Sequence, residues 1–218
     1  MNARRSTGPL GRDEIVSAAL ALVDASGPDA LSMRRLGAQL GVDPMAIYYH
    51  VPDKKAGLVV LIIEAIMAEV DLNAGEAGAP PHERLCQLAG AFRSALLAHG
   101  NAAELLVGRN LETPSELRPI EKMLAALLDS GLAPLQALWA VNAVSDYVIG
   151  AATMQLRMQR AVAEGKPTVT QASRLPAEEF PALRHVLAVA GVSRFDAQFE
   201  FGLEALVSGL LTSTERES

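Results

Sequence analysis

The sequence predicts an all-α chain of one large or two small domains. Its 218 residues are half apolar, with only 4% aromatic and 20% charged, so a large core is available and global disorder is excluded. Alanine and leucine dominate, and apolar residues repeat with the helical period of 3.6 over long stretches. The predicted architecture is an N-terminal three-helix domain with a helix-turn-helix, residues 1–57, followed by a helical bundle, residues 58–218.

Two short helical patterns meet at a sharp corner near the N-terminus. Ser32 is a good N-cap for the first helix, and Gly41 suits the left-handed backbone that ends it. Asp43 caps the second helix, whose first position is Pro44, where a missing N–H costs no hydrogen bond. Pro52 keeps the preceding residue out of helical geometry and ends the second helix early. Such a corner is typical of a helix-turn-helix, whose second helix enters the DNA major groove.

The second helix of the corner has an inward and an outward face. Val42, Ile47 and Val51 are spaced to point inward. Two tyrosines and a histidine on the outward face suit phosphate hydrogen bonds and contact with thymine methyl groups. An ordinary helical corner, with these aromatics packed on a neighbouring helix, is the alternative. The outward residues are Pro44, Met45, Ala46, Tyr48, Tyr49 and His50.

Longer helices flank this corner. One is predicted over residues 12–26, where it braces the turn, and another begins after a cap at Asp53 and runs to about residue 71 as a rod into the second domain. Lys54 and Lys55, at the start of that rod, are placed to meet the DNA backbone; a solvated pair is the alternative.

The rest of the chain is predicted to contain further helices, with an irregular stretch between residues 100 and 119 and loops at residues 72–82 and 164–181. The longest helix begins at Pro134, and some thirty residues at 1.5 Å each reach about 45 Å, too long for a small domain to cover alone. The predicted helices span residues 83–98, 102–106, 119–130, 134–163 and 196–211.

The net charge of −6 is unevenly distributed. Residues 1–55, which include a basic arm before residue 8, carry +1, so the remainder carries −7. Steering by net charge is therefore weak, and affinity for DNA must come from placed contacts. Polar residues interrupt the two most apolar windows, 58–70 and 132–156, and no secretory segment is visible, so no membrane span is expected.

No catalytic or metal-binding pattern stands out. The four histidines (His50, His82, His99 and His185) fall on different elements without ligand spacing, and no glycine-rich phosphate loop occurs. The single cysteine, Cys86, cannot form an internal disulfide, which fits a reducing cytoplasm. A buried thiol is the simpler interpretation of Cys86 and a redox sensor the alternative. No cofactor and no metal ion are expected.

Several polar residues interrupt the apolar pattern of the longest helix. Buried polar groups need partners, so these residues either satisfy one another across a helix interface or line a ligand cavity. Two further residues, in the irregular stretch before this helix, offer donors to the same region. The helix carries Asn142, Ser145, Asp146 and Tyr147, and the irregular stretch carries Arg109 and Asn110.

The chain resembles a known family over most of its length. The run from Ala30 through Tyr48-Tyr49-His50-Val51 to Lys54-Lys55 is similar to the N-terminal domain of the TetR family of transcriptional repressors, and residues 91–99 and 201–204 resemble parts of that family's C-terminal core. The resemblance implies a cytoplasmic homodimer, not an enzyme, that binds a palindromic DNA operator and responds to a small-molecule effector. The rival hypothesis is an all-α binding or enzyme domain whose helix-turn-helix serves protein contact.

The resemblance also implies particular DNA contacts. Positions that match backbone-contacting residues of the family are expected to hold phosphates, and the remaining outward positions are expected to face the groove. The phosphate contacts are Ser32, Arg34, Tyr48, His50 and Lys54, and the groove-facing residues are Met33, Pro44, Met45, Ala46 and Tyr49.

The effector pocket implied by the resemblance is mostly aliphatic. Four positions at which the family's tetracycline-responsive members hold a drug–Mg²⁺ chelate with polar groups are here Val70, Leu88, Leu106 and Met154, when Gly108 and Gly150 are aligned. An apolar organic effector with a polar handle, bound without a metal ion, is therefore expected. The expected pocket residues are Val70, Leu88, Phe92, Leu106, Arg109, Asn110, Met123, Leu127, Asn142, Asp146 and Met154.

Overall fold

The computed structural model describes residues 10–51, 53–74, 78–107, 109–166, 175–189 and 194–212. All regular structure within these ranges is helical, which confirms the predicted fold class. Pro52, the N-terminal basic arm, Gly108 and parts of the two predicted loops lie outside them. The α-helices are α1 (Arg12–Ser26), α2 (Met33–Leu40), α3 (Pro44–His50), α4 (Lys54–Ala68), α5 (Pro81–Ala98), α6 (Pro114–Asp129), α7 (Pro134–Ala163), α8 (Pro181–Val189) and α9 (Phe195–Thr212), with short 3-10 helices at Pro28–Ala30 and Ala102–Leu106.

The corner between α2 and α3 is built by the local chemistry that the sequence predicts. The Ser32 hydroxyl accepts a hydrogen bond from the Arg35 N–H at 3.3 Å and caps α2. Gly41 ends α2 in the left-handed region at φ 69°. The Asp43 carboxylate accepts from the Met45 N–H at 2.8 Å and caps α3. These three predictions are confirmed.

The start of α4 differs from the prediction. Asp53 occupies the N-cap position, but its side chain makes no capping hydrogen bond. A capping residue normally has an extended backbone, whereas Asp53 has ψ 15° and is already turned. Lys54, the next residue, has φ 56°, a left-handed conformation that is strained for a side chain other than glycine. The helix also ends at Ala68, earlier than predicted.

α6 begins five residues before the predicted start. The Thr113 hydroxyl accepts from the Glu116 N–H, and the Glu116 carboxylate accepts from the Thr113 N–H at 3.0 Å, which together form a capping box before Pro114. Pro119, which the sequence analysis placed at the start, lies inside the helix. A proline inside a helix removes the hydrogen bond that its own N–H would donate and crowds the carbonyl four residues earlier, so Pro119 is a weak point of α6.

α8 was not predicted. Its apolar side chains Leu183 and Val186 are 44% and 53% exposed, and no side chain described in this helix is buried. A nine-residue helix offers only about two periods of the apolar pattern, so it is easily missed in a sequence.

The core is continuous through the described part of the molecule. α5 packs against α6, α7 and α9, while α4 packs against α1 on one side and α6 on the other. One cluster of buried apolar residues extends from Ile15 on α1, through Ile62 on α4, to Val207 on α9. α4 therefore belongs to the core of both halves of the chain. None of the described helices is both long and apolar enough to cross a bilayer.

A histidine joins α1, α4 and α5 where the three helices end. His99 Nδ1 lies 2.9 Å from Asp24 Oδ2, and His99 Nε2 lies 2.9 Å from Glu69 Oε2. The amide of Asn101 donates to the Asp24 carbonyl at 2.6 Å. Burial by itself would lower the pKa of His99, but the hydrogen bonds to Asp24 and Glu69 outweigh burial and raise the pKa above its ordinary value of 6.5.

Replacing this histidine should change how stability depends on pH. A raised pKa gives stabilisation that is complete below the unfolded value and is lost as the pH rises through the folded value. His99→Gln should therefore lower the free energy of unfolding by about 1–2 kcal/mol at about pH 6, because both carboxylates are partly solvated, and by less at about pH 9. Urea unfolding at both pH values measures this, with the exposed His185→Gln as the control. A loss that is equal at both pH values would contradict the bridging role.

Candidate functional site

The outward face of α3 carries large side chains that nothing in the described chain covers. Met45 is 70% exposed and Tyr49 is 86% exposed, and Ala46 is exposed beside them. On the opposite face, Ile47 and Val51 are buried, as predicted. An exposed methionine and tyrosine on one short helix form an apolar surface with a single hydroxyl, which suits contact with base edges in a groove.

Most of the residues expected to hold phosphates are at least partly accessible. Arg34 and Lys54 are exposed, and neither forms an ion pair within the described ranges. Ser32 is half-buried, and its hydroxyl, although it accepts the capping hydrogen bond, can still donate one. His50 is half-buried, with its ring edge-on to Tyr49 at 5.4 Å between centroids. Donors and cations of the helix-turn-helix are therefore accessible to a partner, as the exposed face of α3 is.

Met33 and Tyr48 are more buried than predicted. Met33 is only 7% exposed and packs in the core, so the expectation that it faces the groove is wrong. It is the first residue of α2, which packs against α1, and it belongs to the buried cluster. Tyr48 is half-buried, and its ring packs against the same core. Only the polar end of Tyr48 is left for a phosphate.

The two helices of the corner cross at very short range. A Cβ on Gly37 would lie 3.0 Å from the carbonyl oxygen of Val42 and 3.3 Å from the ring of Pro44. The Val42 N–H donates to the Gly37 carbonyl at 3.0 Å and fixes this approach. The position of α3 relative to α2 thus depends on the absence of a side chain at residue 37.

A cavity of about 380 Å³ lies between α5, α7 and α9. Of the pocket residues expected from the sequence, Asp146 and Met154 line it. Its walls also contain Tyr147 and Phe199, whose rings stack at 5.5 Å between centroids. The Tyr147 hydroxyl donates to the Phe199 carbonyl at 3.0 Å, so one polar residue of the long helix is satisfied by α9.

Arg93 supplies a buried cation to this cavity. It is 9% exposed, and its Nη2 donates to the side chains of Gln155 and Asp196. The guanidinium carbon lies 4.5 Å from the centre of the Phe199 ring. Its Nε is buried and has no hydrogen-bond partner in the described part of the chain. Sequence reasoning missed Arg93, because its partners lie 62 and 103 residues away.

Most of the other expected pocket residues are brought together, but inside a packed core. Six apolar positions are at most 4% exposed and belong to the single buried cluster. These are Val70, Leu88, Phe92, Leu106, Met123 and Leu127.

The three remaining expected pocket residues are polar and lie outside that core. Asn110 is exposed, and Arg109 pairs with the buried Glu116. Burial alone would raise the pKa of Glu116, but the hydrogen bonds from Arg109 and two backbone N–H groups outweigh it and lower the pKa. Asn142 is exposed and does not face this core. Arg109 therefore holds the irregular segment to α6 in the present arrangement.

α7 and α9 also carry exposed apolar side chains. Trp139 is 61% exposed and Phe201 79% exposed, and Leu135 and Leu138 are exposed on the same half of α7. Asn142 lies one turn after Leu138 and is also exposed. Of the two alternatives for the polar residues, its position favours a helix interface.

Cys86 has a histidine and a carboxylate close by. His82 precedes it by one helical turn on α5, and the Cys86 thiol lies 3.9 Å from Glu204 Oε2 on α9. Burial, with the nearby Glu204 carboxylate, raises the pKa of Cys86 to about 11. A thiol with so high a pKa is protonated near neutral pH and is a poor nucleophile, which disfavours the redox-sensor alternative.

Comparison with known proteins identifies the family. Residues 77–214 match the family described as "Tetracyclin repressor-like, C-terminal domain", and residues 15–60 match "Bacterial regulatory proteins, tetR family". The chain belongs to the TetR family. Regulators of this family bind DNA operators and small-molecule effectors.

Individual relatives match along almost their entire length. The tetracycline repressor protein class D of Escherichia coli is 29% identical over 201 residues, which are 92% of this chain and 88% of that protein. Apo ActR from Streptomyces coelicolor has a TM-score of 0.83 at 29% identity, over 98% of this chain and all of that one. ActR in complex with actinorhodin has a TM-score of 0.79 at 29% identity, over 95% and 98%.

The close approach of α2 and α3 predicts that replacing Gly37 by alanine destabilises the protein. Alanine in a helix is favoured over glycine by about 1 kcal/mol, yet Gly37→Ala should destabilise the protein by about 1–3 kcal/mol, because the backbone and the proline ring opposite cannot move aside cheaply. Gly90→Ala, on α5 with open space around its Cβ position, should instead be neutral or stabilising. Urea unfolding compares the two variants. If both gain stability equally, the crossing is looser than described.

Proposed function

We propose that this chain is a ligand-responsive transcriptional repressor that binds a palindromic operator as a homodimer in the cytoplasm and has no enzymatic activity. The observation that carries the proposal is the exposed Met45 and Tyr49 face of α3. The corner that presents this face packs on α1, which in turn packs on α4, the helix that enters the C-terminal core. We place the domain boundary at residue 57, inside α4, so that residues 1–57 bind DNA and residues 58–218 bind the effector and the second copy.

The DNA contacts divide into two kinds. Arg34 and Lys54 supply charge to phosphates, and Ser32, Tyr48 and His50 supply hydrogen bonds that set the register of α3 in the groove. Pro44, Met45, Ala46 and Tyr49 face the bases, where the methionine and the ring suit thymine methyl groups. Met33, being buried, is left out of the contact surface. The rival function, in which the corner contacts another protein, does not explain why the corner combines accessible donors and cations with an exposed apolar face.

Substitutions should distinguish contacts to phosphates, which position α3, from contacts to bases, which determine sequence preference. Tyr48→Phe keeps the packed ring and removes only the hydroxyl, so operator affinity should fall on the order of tenfold, since each copy loses a hydrogen bond of about 0.5–1.5 kcal/mol. The fall should be similar for every operator variant, because phosphate contacts do not read sequence. Met45→Gln should instead change which bases are preferred. Fluorescence anisotropy on an operator selected from random DNA measures both.

The salt dependence of operator affinity tests the proposed phosphate contact of Lys54. Lys54→Gln should reduce the slope of log affinity against log salt by about one for each copy on the DNA. Lys122→Gln, which removes an exposed cation from α6, should leave that slope unchanged. A selection that yields no palindrome, or a Tyr48→Phe protein that binds undiminished, would favour the protein-contact function.

The second copy is proposed to pack on α7 and α9. A surface with Trp139, Phe201 and two leucines exposed is more apolar than an isolated chain usually presents. Gly150 and Gly209 lie on these two helices with nothing near their Cβ positions within the chain, which allows close approach. Two such helix pairs would form a four-helix interface related by a two-fold axis, as a palindromic operator requires.

A charge on that surface should prevent assembly. Trp139→Asp buries a carboxylate in the proposed interface and should shift the protein toward monomers at micromolar concentration, because an unpaired buried charge is costly. Leu128→Asp, on the exposed surface of α6, is the control and should stay dimeric. Sedimentation velocity distinguishes the species. A wild-type protein that is monomeric under these conditions rules out the proposed interface.

The effector is proposed to be a mostly apolar organic molecule with one polar handle. The cavity between α5, α7 and α9 supplies Asp146 and Met154. The aliphatic residues expected from the sequence are packed together, so they would form the remaining walls only after they separate to admit the effector. The unpartnered Nε of Arg93 supports a handle that accepts a hydrogen bond. The aliphatic Val70, Leu88, Leu106 and Met154 provide no ligand for a metal chelate, so we propose that effector binding requires no metal ion.

A further inference from the structure

Three metal-ligating side chains meet on the seam between α5 and α9. His82 and Cys86 lie one turn apart on α5, and Glu204 reaches them from α9. One donor atom from each lies within 4.8 Å of the other two. His82 Nε2 is 3.1 Å from Glu204 Oε1, and Cys86 Sγ is 3.9 Å from Glu204 Oε2.

This spacing fits a small tetrahedral ion. Zinc bonds of about 2.0 Å to nitrogen or oxygen and about 2.3 Å to sulfur place neighbouring donors about 3.3–3.6 Å apart. The His82–Glu204 and Cys86–Glu204 contacts bracket that separation, so small side-chain rotations would bring all three donors to one ion. Two donors on adjacent turns of one helix, completed by a third from another element, form a recurrent zinc arrangement.

We propose that His82, Cys86 and Glu204 bind one Zn²⁺ ion per chain. A donor set of thiolate, imidazole and carboxylate suits zinc and excludes magnesium and calcium, which take oxygen ligands. On binding, the Cys86 thiol releases its proton to solvent and the sulfur bonds to the ion. Water takes the fourth position, beside the Ser208 hydroxyl, which lies 3.4 Å from His82 Nε2. This proposal departs from the expectation that the chain holds no metal.

The proposed ion would be separate from the effector site and would act on a shared helix. Along the same seam, Arg93 of α5 holds Asp196 of α9 at 2.8 Å. An ion at Glu204 would add a second cross-link two turns further along α9. Because Phe199 lies between these two points and lines the effector cavity, the ion would restrict the motion of that wall. The alternative interpretation is an ion pair between His82 and Glu204 alone, and it does not involve the Cys86 thiol.

Cobalt titration of the tag-free, chelator-treated protein tests the proposal. A thiolate bonded to Co²⁺ gives an intense charge-transfer absorption, which should saturate at one Co²⁺ per chain and disappear when Zn²⁺ is added. Cys86→Ser should abolish the absorption. His82→Ala and Glu204→Gln should weaken Co²⁺ affinity by roughly tenfold or more, since loss of even an indirect supporting contact costs about that much.

Two matched variants keep the result interpretable. Glu200→Gln removes an exposed carboxylate one turn earlier on α9, and His185→Ala removes an exposed histidine from α8; both should bind Co²⁺ like the parent. All five variants are compared with the parent by circular dichroism for helix content. The proposal is overturned if stoichiometric Co²⁺ gives no charge-transfer absorption in the folded parent. It is equally overturned if His82→Ala and Glu204→Gln bind Co²⁺ as tightly as the two controls.

Discussion

The burial of α4 on both of its sides is the constraint on which the other features of the molecule depend. Leu58, Ile62 and Ile66 are fully buried along it, and each such side chain contributes about 1.5–3 kcal/mol. The helix-turn-helix packs on α1, and α1 packs on α4, so it cannot shift without disturbing residues that belong to the same buried cluster as the C-terminal core. His99 reinforces the junction by joining Asp24 of α1 to the end of α4. An effector that moves α4 would therefore move α3, which links effector binding to operator affinity.

Features that depend on local chemistry could be predicted from the sequence. The Ser32 and Asp43 caps and the Gly41 terminator act within one helical turn, and each was placed correctly because its partner is two to four residues away. The thirty residues of α7 were also placed correctly, since a long periodic pattern averages over local exceptions. The start of α6 was misplaced although its signal is local: the capping box at Thr113 was overlooked in favour of the later proline.

Features that depend on distant partners could not be predicted. The burial of Met33 follows from how α2 docks on the core, not from its position in the helical pattern. Arg93 is an ordinary basic residue in the sequence and becomes a cavity cation only because α7 and α9 supply its acceptors. The sequence predicts His82 in a loop and Cys86 in the helix that follows, and their third partner, Glu204, lies 118 residues beyond the cysteine. Tertiary packing decides these positions, and a single sequence does not encode it in any short pattern.

Effector-dependent release from the operator tests the linkage through α4 most directly. Small molecules that co-purify with the protein are identified by mass spectrometry, and the candidate is titrated into the operator complex by fluorescence anisotropy, with and without Mg²⁺. A coupling of about 1–3 kcal/mol predicts a 5- to 150-fold loss of operator affinity, equal in both conditions. Operator affinity that stays constant while the molecule occupies the C-terminal core would contradict the linkage, and release only with Mg²⁺ would contradict the metal-free effector site.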